Sequence, residues 1–361
     1  TKVYIKGSST PTTLDMGESM HVSVNQGDIV SSDKDVQVDF LTGDRSSQYE
    51  LRWYSLRATE DWSDSYLSPV GDSEGETKLV VYNPNTSAIN VKITVNNGDT
   101  TEKISGGEHF VSDYIRTGSA ALLEETDGNN FIVLSVTDTV GSGVLYDWGF
   151  PVVAVRDLTP QVLIGLGFGC TDNKCLYETY NTRSLTRSVV WVAPIENATI
   201  YVDYQNDGIV DDIVEVDYLN STIIHDLSDK DMSGAVIFTT RRDSGPTGPA
   251  VNFAAAWGQD PERSGSSDES ALDLGTMVVP FTGFQASTSK NVVLVDDNDN
   301  DGQISPGDKI KYTIVVSNVG QQDIPTGGVT IKDTLDSDVS YVPNSIKYEV
   351  PETGESAIIS G

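Results

Sequence analysis

The sequence predicts an all-β protein built from several β-sandwich units. Apolar residues occur in short alternating runs such as Val91–Val95, which is the pattern of a strand with one face in a core. The 32 glycines, and repeated Asn-Gly, Asp-Gly and Ser-Gly pairs, mark frequent tight turns between these runs. No long stretch has helical periodicity, so we expect strands and turns throughout.

The composition excludes some partners. The chain has 361 residues, of which 54 are acidic and 23 basic, and its net charge is -31. Such a surface repels nucleic acid phosphates and anionic membranes, so we expect neither as a partner, whereas divalent cations suit it. Hydrophobic residues make up 37%, which is enough to build a folded core.

Several features favour a secreted, cell-surface or extracellular filament protein. No apolar run is long enough to cross a membrane, and the sequence begins at Thr1, so we expect a mature or excised piece whose leader or anchor lies outside it. Cys170 and Cys175 are five positions apart. A metal or redox pair needs further ligands or a closer spacing, so a small disulfide-closed turn is favoured, which fits an oxidising compartment.

Repeated patterns predict the domain organisation. Gly118–Leu123 and Gly234–Phe238 both begin a strand–turn–strand piece, and each piece is preceded by a strand that ends near a proline. We therefore expect residues 1–285 to form a head of two or three repeated sandwich-like units, with boundaries near residues 72 and 158. A propeller-like arrangement is the alternative. The pattern changes near residue 286, and residues 286–361 are predicted to form a second, smaller module.

The strongest motif is the acidic segment Asp297–Asp308. Calcium takes six to eight oxygen ligands, and an EF-type loop supplies them from positions 1, 3, 5, 7, 9 and 12, with glycine at position 6. Gly302 stands at position 6. An empty Asx-rich turn is the alternative, although its aspartates would repel one another. The predicted calcium ligands are Asp297, Asp299, Asp301, the carbonyl of Gln303, Ser305 and Asp308.

A second acidic segment, Asp203–Asp212, has glycine at the same position but departs from the pattern. Gln205 stands at position 3 and Val214 at position 12. A calcium site here needs help from the later cluster that contains Asp226, and a solvated hairpin turn is the equal alternative. The tentative ligands of this second site are Asp203, Asp207, Asp211, Asp229 and Asp231.

No catalytic residues are predicted, because the three histidines are scattered and no nucleophile or phosphate-binding motif is present. Trp53, Trp62 and Tyr66 form an aromatic-rich stretch that suggests a glycan- or peptide-binding surface. The alternative, which we favour, is a structural corner of the β core. Three segments also match the N-glycosylation acceptor pattern, beginning at Asn85, Asn197 and Asn220.

Residues 290–345 resemble the tandem stalk repeat of bacterial and archaeal surface proteins, an Ig-like repeat of unknown function. Four segments carry the resemblance: Asp299–Asp308, Tyr312–Gly320, Asp333–Leu335 and Tyr341–Ser345. It implies that residues 286–361 are an Ig-like β-sandwich stalk module, whose usual C-terminal strands would lie beyond Gly361.

Residues 1–285 resemble the region that precedes such repeats in very large surface adhesins. The residues concerned include Leu41–Asp44, Tyr201–Tyr204 and Ala256–Pro261. The Ser32–Lys34 turn is also loosely similar to the N-terminal region of the IgG-Fc-binding protein family, without implying antibody binding. Neither resemblance brings a catalytic site.

The sequence therefore predicts a non-enzymatic, structural or adhesive surface or filament protein with calcium as its cofactor. Its partners would be other copies of itself or neighbouring surface proteins, joined by strand addition. The alternative is a secreted carbohydrate-binding or carbohydrate-active module that uses a glycan partner.

Overall fold

A computed structural model describes residues 1–6, 8–42, 52–72, 76–137, 148–167, 188–229, 231–259, 275–278, 286–318, 331, 333, 335, 337–350 and 355–359. The chain divides into two units, Thr1–Gln322 and Asp323–Gly361. The described residues form antiparallel sheets with two short 3-10 turns, Thr59–Asp61 and Val155–Asp157. The predicted all-β fold class is confirmed. Within the described ranges, no helix has the length and apolar character needed to span a bilayer.

The N-terminal part of the first unit contains one small sheet and one hairpin. The sheet has the strand order β2-β1-β3, and the hairpin pairs β4 with β5. Tyr54 of the hairpin is buried, and Gly149 lies so close to its ring that a Cβ on Gly149 would clash with it. The strands are β1 (Lys2–Ile5), β2 (Thr12–Thr13), β3 (Val30–Ser32), β4 (Asp39–Thr42) and β5 (Arg52–Ser55).

The first β-sandwich follows. Its two sheets share one core, to which Tyr66 and Leu123 contribute from one sheet and Leu79 and Val133 from the other. Its strands are β6 (Ser65–Ser68), β7 (Lys78–Tyr82), β8 (Ile89–Val95), β9 (Gly98–Ile104), β10 (His109–Val111), β11 (Ala121–Glu125), β12 (Ile132–Thr137) and β13 (Trp148–Pro151). The strand orders are β6-β11-β8-β9 and β10-β7-β12-β13.

The second β-sandwich has the same topology as the first. Its strands are β14 (Gln161–Leu163), β15 (Ser188–Pro194), β16 (Ala198–Asp203), β17 (Asp212–Val216), β18 (Thr222–Ile224), β19 (Val236–Arg241), β20 (Phe253–Gln259) and β21 (Gly275–Met277). The strand orders are β14-β19-β16-β17 and β18-β15-β20-β21. Thus β14 takes the position of β6, β15 that of β7, and the correspondence continues in chain order to β21 and β13.

The sheet that contains β15 is shared between the two sandwiches. Successive side chains of a strand point to opposite faces, so a strand buried on both faces is apolar at nearly every position. Every residue of β15 is buried. Trp191 packs into the core of the first sandwich, whereas Val190 and Val192 pack into the core of the second. The rings of Trp148 and Trp191 are 5.4 Å apart. The two sandwiches are therefore fused through a common layer.

Residue 158, one of the two expected boundaries, lies between β13 and β14, where the sandwiches meet along the chain. Residue 72, the other, lies between β6 and β7, which belong to opposite sheets of the first sandwich. A boundary at residue 72 would separate β6 from β11, the strand with which it is paired.

The predicted change near residue 286 coincides with the start of a long hairpin in the first unit. Its strands are β22 (Ala286–Asp296) and β23 (Lys309–Asn318), with a register shift between Leu294 and Asp296. In the second unit, β24 (Ile346–Val350) pairs with β25 (Glu355–Ile359). The expected Ig-like module stays a prediction, since the described residues of this region form these two hairpins.

Candidate metal centre

Three carboxylates converge in the loop between β22 and β23, here named the distal loop (Asp297–Asp308). One carboxylate oxygen from each of Asp297, Asp299 and Asp308 lies within 4.8 Å of the other two. Asp297 and Asp308 are half-buried and Asp299 is exposed. Among the described residues, this group is the one in which at least three His, Cys, Asp or Glu side chains approach closely enough to hold a metal ion.

Backbone N–H groups set the position of Asp297 at the start of the distal loop. Its Oδ1 accepts a hydrogen bond from Asn300 N at 2.7 Å, and its Oδ2 accepts one from Gly302 N at 2.8 Å. Asn300 has φ +61° and Gly302 has φ +76°. Glycine adopts such angles without steric cost, and asparagine tolerates them better than most residues. The Asn-Asp-Gly segment thus curls the chain around the Asp297 carboxylate.

Asp308 closes the distal loop from its other end. Its Oδ1 accepts a hydrogen bond from Asn298 N at 2.9 Å, and its Oδ2 accepts one from Ser305 N at 2.7 Å. The first of these bonds spans ten residues, so it brings the end of the loop back to its beginning. The carboxylate of Asp308 consequently lies beside that of Asp297, although eleven positions separate them in the sequence.

The structure brings together part of the predicted ligand set. Ser305 approaches the group through its hydroxyl, which donates to Asp299 Oδ2 at 3.2 Å. Asp301 lies outside the group of three carboxylates, and its Oδ1 accepts a hydrogen bond from Gln303 N at 2.7 Å. A carboxylate that caps a backbone N–H in this way stabilises the turn, which is the role that the structure gives to Asp301.

Hydrogen bonds and ion pairing favour the charged forms around the distal loop. The N–H of Gly302 lowers the pKa of Asp297 below its ordinary value, and the N–H of Asn300 acts in the same direction. At the base of the hairpin, Lys309 Nζ lies 2.6 Å from Asp296 Oδ2, and this contact raises the pKa of Lys309. Three ionised carboxylates within a few ångströms repel one another unless a cation lies among them.

The chemistry of the donors restricts which metal fits. All the donors in the group are oxygens, which suit hard cations such as Ca²⁺, Mg²⁺ and Mn²⁺, and the group has no thiolate or imidazole that would select zinc or copper. The distal loop therefore offers a group of three carboxylates that could hold a metal ion, and the chemistry of its oxygen donors suits a hard cation.

The loop between β16 and β17, here named the proximal loop (Asp203–Asp212), begins with the same turn. Asp203 Oδ2 accepts a hydrogen bond from Gly208 N at 2.7 Å, five residues along, as Asp297 does from Gly302. Asp207 Oδ1 accepts one from Ile209 N at 2.9 Å, which matches the bond from Gln303 to Asp301. Asn206 and Gly208 have φ +54° and +87°.

The carboxylates of the proximal loop do not form a group like that of the distal loop. Asp211 Oδ2 accepts a hydrogen bond from Tyr204 N at 2.8 Å, and Asp229 and Asp231 each cap a backbone N–H two residues along. Position 12 is Val214, which lies within β17 and pairs with Ile200. Of the tentative second set of ligands, none belongs to a three-residue metal group in the described chain.

Tyr204 is a feature of the proximal loop that the sequence analysis missed. Its hydroxyl donates to the backbone oxygen of His225 at 3.0 Å, which joins the loop to the segment after β18. Burial raises its pKa, and the neighbouring carboxylates of Asp212 and Asp226 add to this effect. The position of Tyr204 directly after the first aspartate carries no recognisable signal, because its partners come from a distant part of the chain.

The structure separates the predicted aromatic surface. Trp53 is 60% exposed, whereas Tyr66 is 2% exposed. The hydroxyl of Tyr66 donates to the Phe131 carbonyl at 2.6 Å and accepts from Ser63 N at 2.8 Å. Trp62 is half-buried, and its Nε1 donates to the Arg57 carbonyl at 3.4 Å. Tyr66 is therefore a core residue, because the pleat of β6 turns its ring inward, and it offers no face to a ligand.

Cys170 and Cys175 lie outside the described residues, so the predicted disulfide stays a prediction.

Comparisons with known proteins add little. No family model matches the chain, and no curated protein matches it. Among solved structures, the chain is similar to an anti-sigma factor domain-containing protein from Clostridium clariflavum at 10% identity, with 65% of this chain and 92% of that chain covered and a TM-score of 0.15. A second anti-sigma factor domain-containing protein has 11% identity, covers 67% of this chain and 93% of its own, and has a TM-score of 0.12. Similarities this weak carry no argument about fold or function.

Proposed function

We propose that this chain is a structural segment of a secreted, cell-surface or extracellular filament protein, and that calcium bound in the distal loop stabilises it. The observation that carries the proposal is the convergence of Asp297, Asp299 and Asp308 at the end of the β22–β23 hairpin. The chain has a mechanical role in this proposal and catalyses no reaction.

Calcium is the proposed cation because of the way the loop supplies oxygen. Asp297, Asp299 and Asp308 occupy positions 1, 3 and 12 of an EF-type spacing, and Gly302 occupies position 6. Calcium accepts six to eight ligands in flexible arrangements, whereas magnesium demands near-octahedral geometry and keeps most of its water. A partly exposed oxygen cluster with three carboxylates suits calcium better.

The tandem sandwiches support a mechanical role. Their shared sheet is buried on both faces, so separating them would expose the apolar surfaces of Trp148 and Trp191. Backbone hydrogen bonds also join them, from Ala120 N to Leu219 O at 2.9 Å and from Ser221 N to Gly118 O at 3.0 Å. A rigid double unit of this kind suits a protein that transmits force or holds a fixed spacing.

The exposed faces of the β22–β23 hairpin favour the proposal that partners add a strand or a sheet to it. A two-stranded hairpin is marginally stable in water without further packing. Val292 and Val293 point to opposite faces, and both are exposed. The proposed partners are further copies of the chain or neighbouring surface proteins, which would cover these faces.

The carbohydrate-binding alternative has less support. Of the three aromatic residues considered for a glycan surface, Trp53 is the exposed one, and Tyr66 is part of the core. A glycan array with the whole chain separates the two functions. The structural role predicts no saturable binding, whereas saturable binding that Trp53→Ala removes would overturn it.

The calcium proposal is tested with the whole chain by calorimetric titration and by thermal melting in calcium or in chelator. We expect saturable binding and a higher unfolding temperature for the transition that includes β22 and β23, since a ligand at about 100 times its Kd adds about 2.7 kcal/mol of stability. The double variant Asp299→Ala with Asp301→Ala should remove both effects.

The matched control for this experiment lies in the proximal loop. Asp207 has the place in that loop that Asp301 has in the distal loop, and it caps Ile209 N in the same manner. Asp207→Ala should therefore leave calcium binding intact. Identical melting of the unmodified chain in calcium and in chelator would contradict the proposal, as would calcium binding that survives the distal double variant.

The proposed location and assembly are tested on the native protein. Electron microscopy of protein isolated from its source should reveal filaments or a cell-surface layer. Recovery of the protein as a dissolved intracellular monomer would contradict this part of the proposal.

A further inference from the structure

We propose that Asn197 is an N-glycosylation site, with Asn85 and Asn220 disfavoured by the contacts of the folded chain. The inference rests on the extracellular location proposed above, because such modification takes place during export. It is independent of the distal loop and of calcium.

The two sandwiches offer an internal comparison. The first acceptor segment, Asn85–Ser87, lies in the turn between β7 and β8. The second begins at Asn197, in the corresponding turn between β15 and β16 of the second sandwich, and its Ala198 and Thr199 are the first residues of β16. The same short motif thus occurs at the same place in both copies, and differences between the two sites come from their surroundings.

At Asn85, the side-chain amide is already used. Its Nδ2 donates to Asn83 Oδ1 at 2.9 Å and to the Asn130 carbonyl at 3.0 Å. Attachment of a sugar replaces one of the two N–H donors, so one of these bonds would be lost. Asn83 is buried, and its own amide holds the turn through the carbonyls of Ser87 and Ile104. A glycan at Asn85 would therefore disturb a packed turn.

At Asn197, the amide nitrogen is not used in this way. The residue is exposed at the tip of its hairpin, and its Oδ1 accepts a hydrogen bond from Tyr218 N at 2.8 Å. Within the described chain, its Nδ2 donates no hydrogen bond. The oxygen contact fixes the direction of the side chain, so Nδ2 points away from Tyr218. A glycan linked there would leave the hydrogen bond with Tyr218 in place.

Asn220 lies at the junction of the two sandwiches. Its Oδ1 accepts a hydrogen bond from Asn96 Nδ2 at 3.2 Å, and its backbone forms a β-bridge with Ser119 of the first sandwich. A bulky glycan at this position would lie against the hydrogen bonds that join Ala120 to Leu219. A glycan on Asn220 is consequently less compatible with the fold than one on Asn197.

The burial of Thr199 sets the order of events. Thr199 is 6% exposed and lies within β16, where it pairs with Glu215 and Thr240. A transferase that reads the threonine hydroxyl must act before β16 pairs with its neighbours. The contacts of the folded chain therefore act afterwards, by deciding which glycosylated chains fold and are secreted. In that step, Asn197 Nδ2 attacks the anomeric carbon of a lipid-diphosphate-linked oligosaccharide. The C–N bond forms, the C–O bond to the diphosphate breaks, and the amide proton passes to a base.

The test uses the whole chain, secreted from a eukaryotic host behind a cleavable leader. Enzymatic release of N-glycans in heavy-oxygen water converts each glycosylated asparagine to an oxygen-labelled aspartate. Peptide mass spectrometry then gives the occupancy of each acceptor separately. We expect Asn197 to have the highest occupancy of the three. A variant that carries Asn85→Gln and Asn220→Gln should still carry one glycan, and the additional change Asn197→Gln should remove that glycan.

Two results would overturn the inference. One is a folded, secreted Asn85→Gln, Asn220→Gln variant that carries no glycan. The other is an unmodified chain in which Asn85 or Asn220 is occupied and Asn197 is empty. Circular dichroism of the secreted material establishes folding in each case. Calcium titration on glycan-free protein from bacteria tests the distal loop separately, so the two proposals fail independently.

Discussion

The proximal and distal loops begin with the same six-residue turn, yet they use their aspartates differently. In both, the first aspartate accepts the N–H of a glycine five residues along, and the residue before the last aspartate of the turn is an asparagine with positive φ. In the proximal loop, Asp203 is 6% exposed and forms the end of β16 in the second sandwich. In the distal loop, Asp308 accepts a hydrogen bond from Asn298 N and so brings the end of the loop back to its beginning, where three carboxylates lie close together.

The difference shows that the closing residue decides whether an acidic turn brings its carboxylates together. The proximal loop continues directly into β17, so position 12 is a strand residue, Val214. The corresponding hairpin of the first sandwich, between β8 and β9, is closed by the two-residue turn Asn96–Asn97. The sandwich fold therefore does not need the acidic turn, and the proximal loop is an elaboration that supplies its own hydrogen bonds.

The largest expected effect is on stability, at Asp203. Asp203→Ala leaves the N–H groups of Asp207 and Gly208 without their acceptor next to a buried strand end. Hydrogen bonds to charged groups contribute about 1.5–3 kcal/mol each, so we expect a loss of about 2–4 kcal/mol in the free energy of unfolding by denaturant titration. The calcium affinity of the chain should not change. A loss of calcium binding in this variant would show that the cation binds in the proximal loop and would contradict the proposed site.

The second effect is on affinity, at Asp308. Asp308→Asn keeps an oxygen that can accept a hydrogen bond but removes one charge from the group of three carboxylates. We expect the calcium affinity to fall roughly tenfold or more, which corresponds to about 1.4 kcal/mol or more of binding free energy. Asp212→Asn, at the end of the proximal loop, is the control and should leave the titration unchanged. Equal affinities in the two variants would show that Asp308 is not a ligand.

A smaller effect tests the likeness of the two turns. Gly208 and Gly302 both have positive φ, and a Cβ built on either one meets no atom within 4 Å. Gly208→Ala and Gly302→Ala therefore differ from the native chain in backbone strain alone, which costs about 1 kcal/mol. Without calcium, we expect similar losses of stability from the two changes. A loss confined to one of them would show that the turns differ in conformation.

The smallest effect concerns pH. The N–H of Gly302 holds the pKa of Asp297 below its ordinary value of 3.8 in the folded chain. Because the folded pKa is the lower one, this contact stabilises the distal loop above the unfolded pKa, and the stabilisation is lost as the pH falls through the folded pKa. An NMR titration of the side-chain carboxyl groups in calcium-free buffer should find Asp297 titrating below 3.8. A normal or raised pKa would show that the Asn300 and Gly302 contacts are absent in solution.

Much of the fold could be predicted from local patterns. The alternation in Val91–Val95 predicted β8, and the repeated strand–turn–strand pieces predicted β11 and β19, which have equivalent places in the two sandwiches. These predictions succeed because alternation and turn residues act over a few neighbouring positions. The continuous apolar run of β15 did not reveal that its two faces serve two different cores, because the partners of each face come from distant segments.

The sequence by itself determined which turns this chain makes around its aspartates. The spacing between the first aspartate and the glycine is the same in both loops, and the positive φ of Gly208 and Gly302 is a conformation that glycine adopts without steric cost. The tertiary structure decided which turn gathers its carboxylates, since that depends on where the chain goes next. After Ser305, Asp308 returns to Asn298 before β23 begins, whereas the proximal loop runs straight into β17. A calcium site needs oxygens that converge in space, and convergence depends on the strands on either side of the motif.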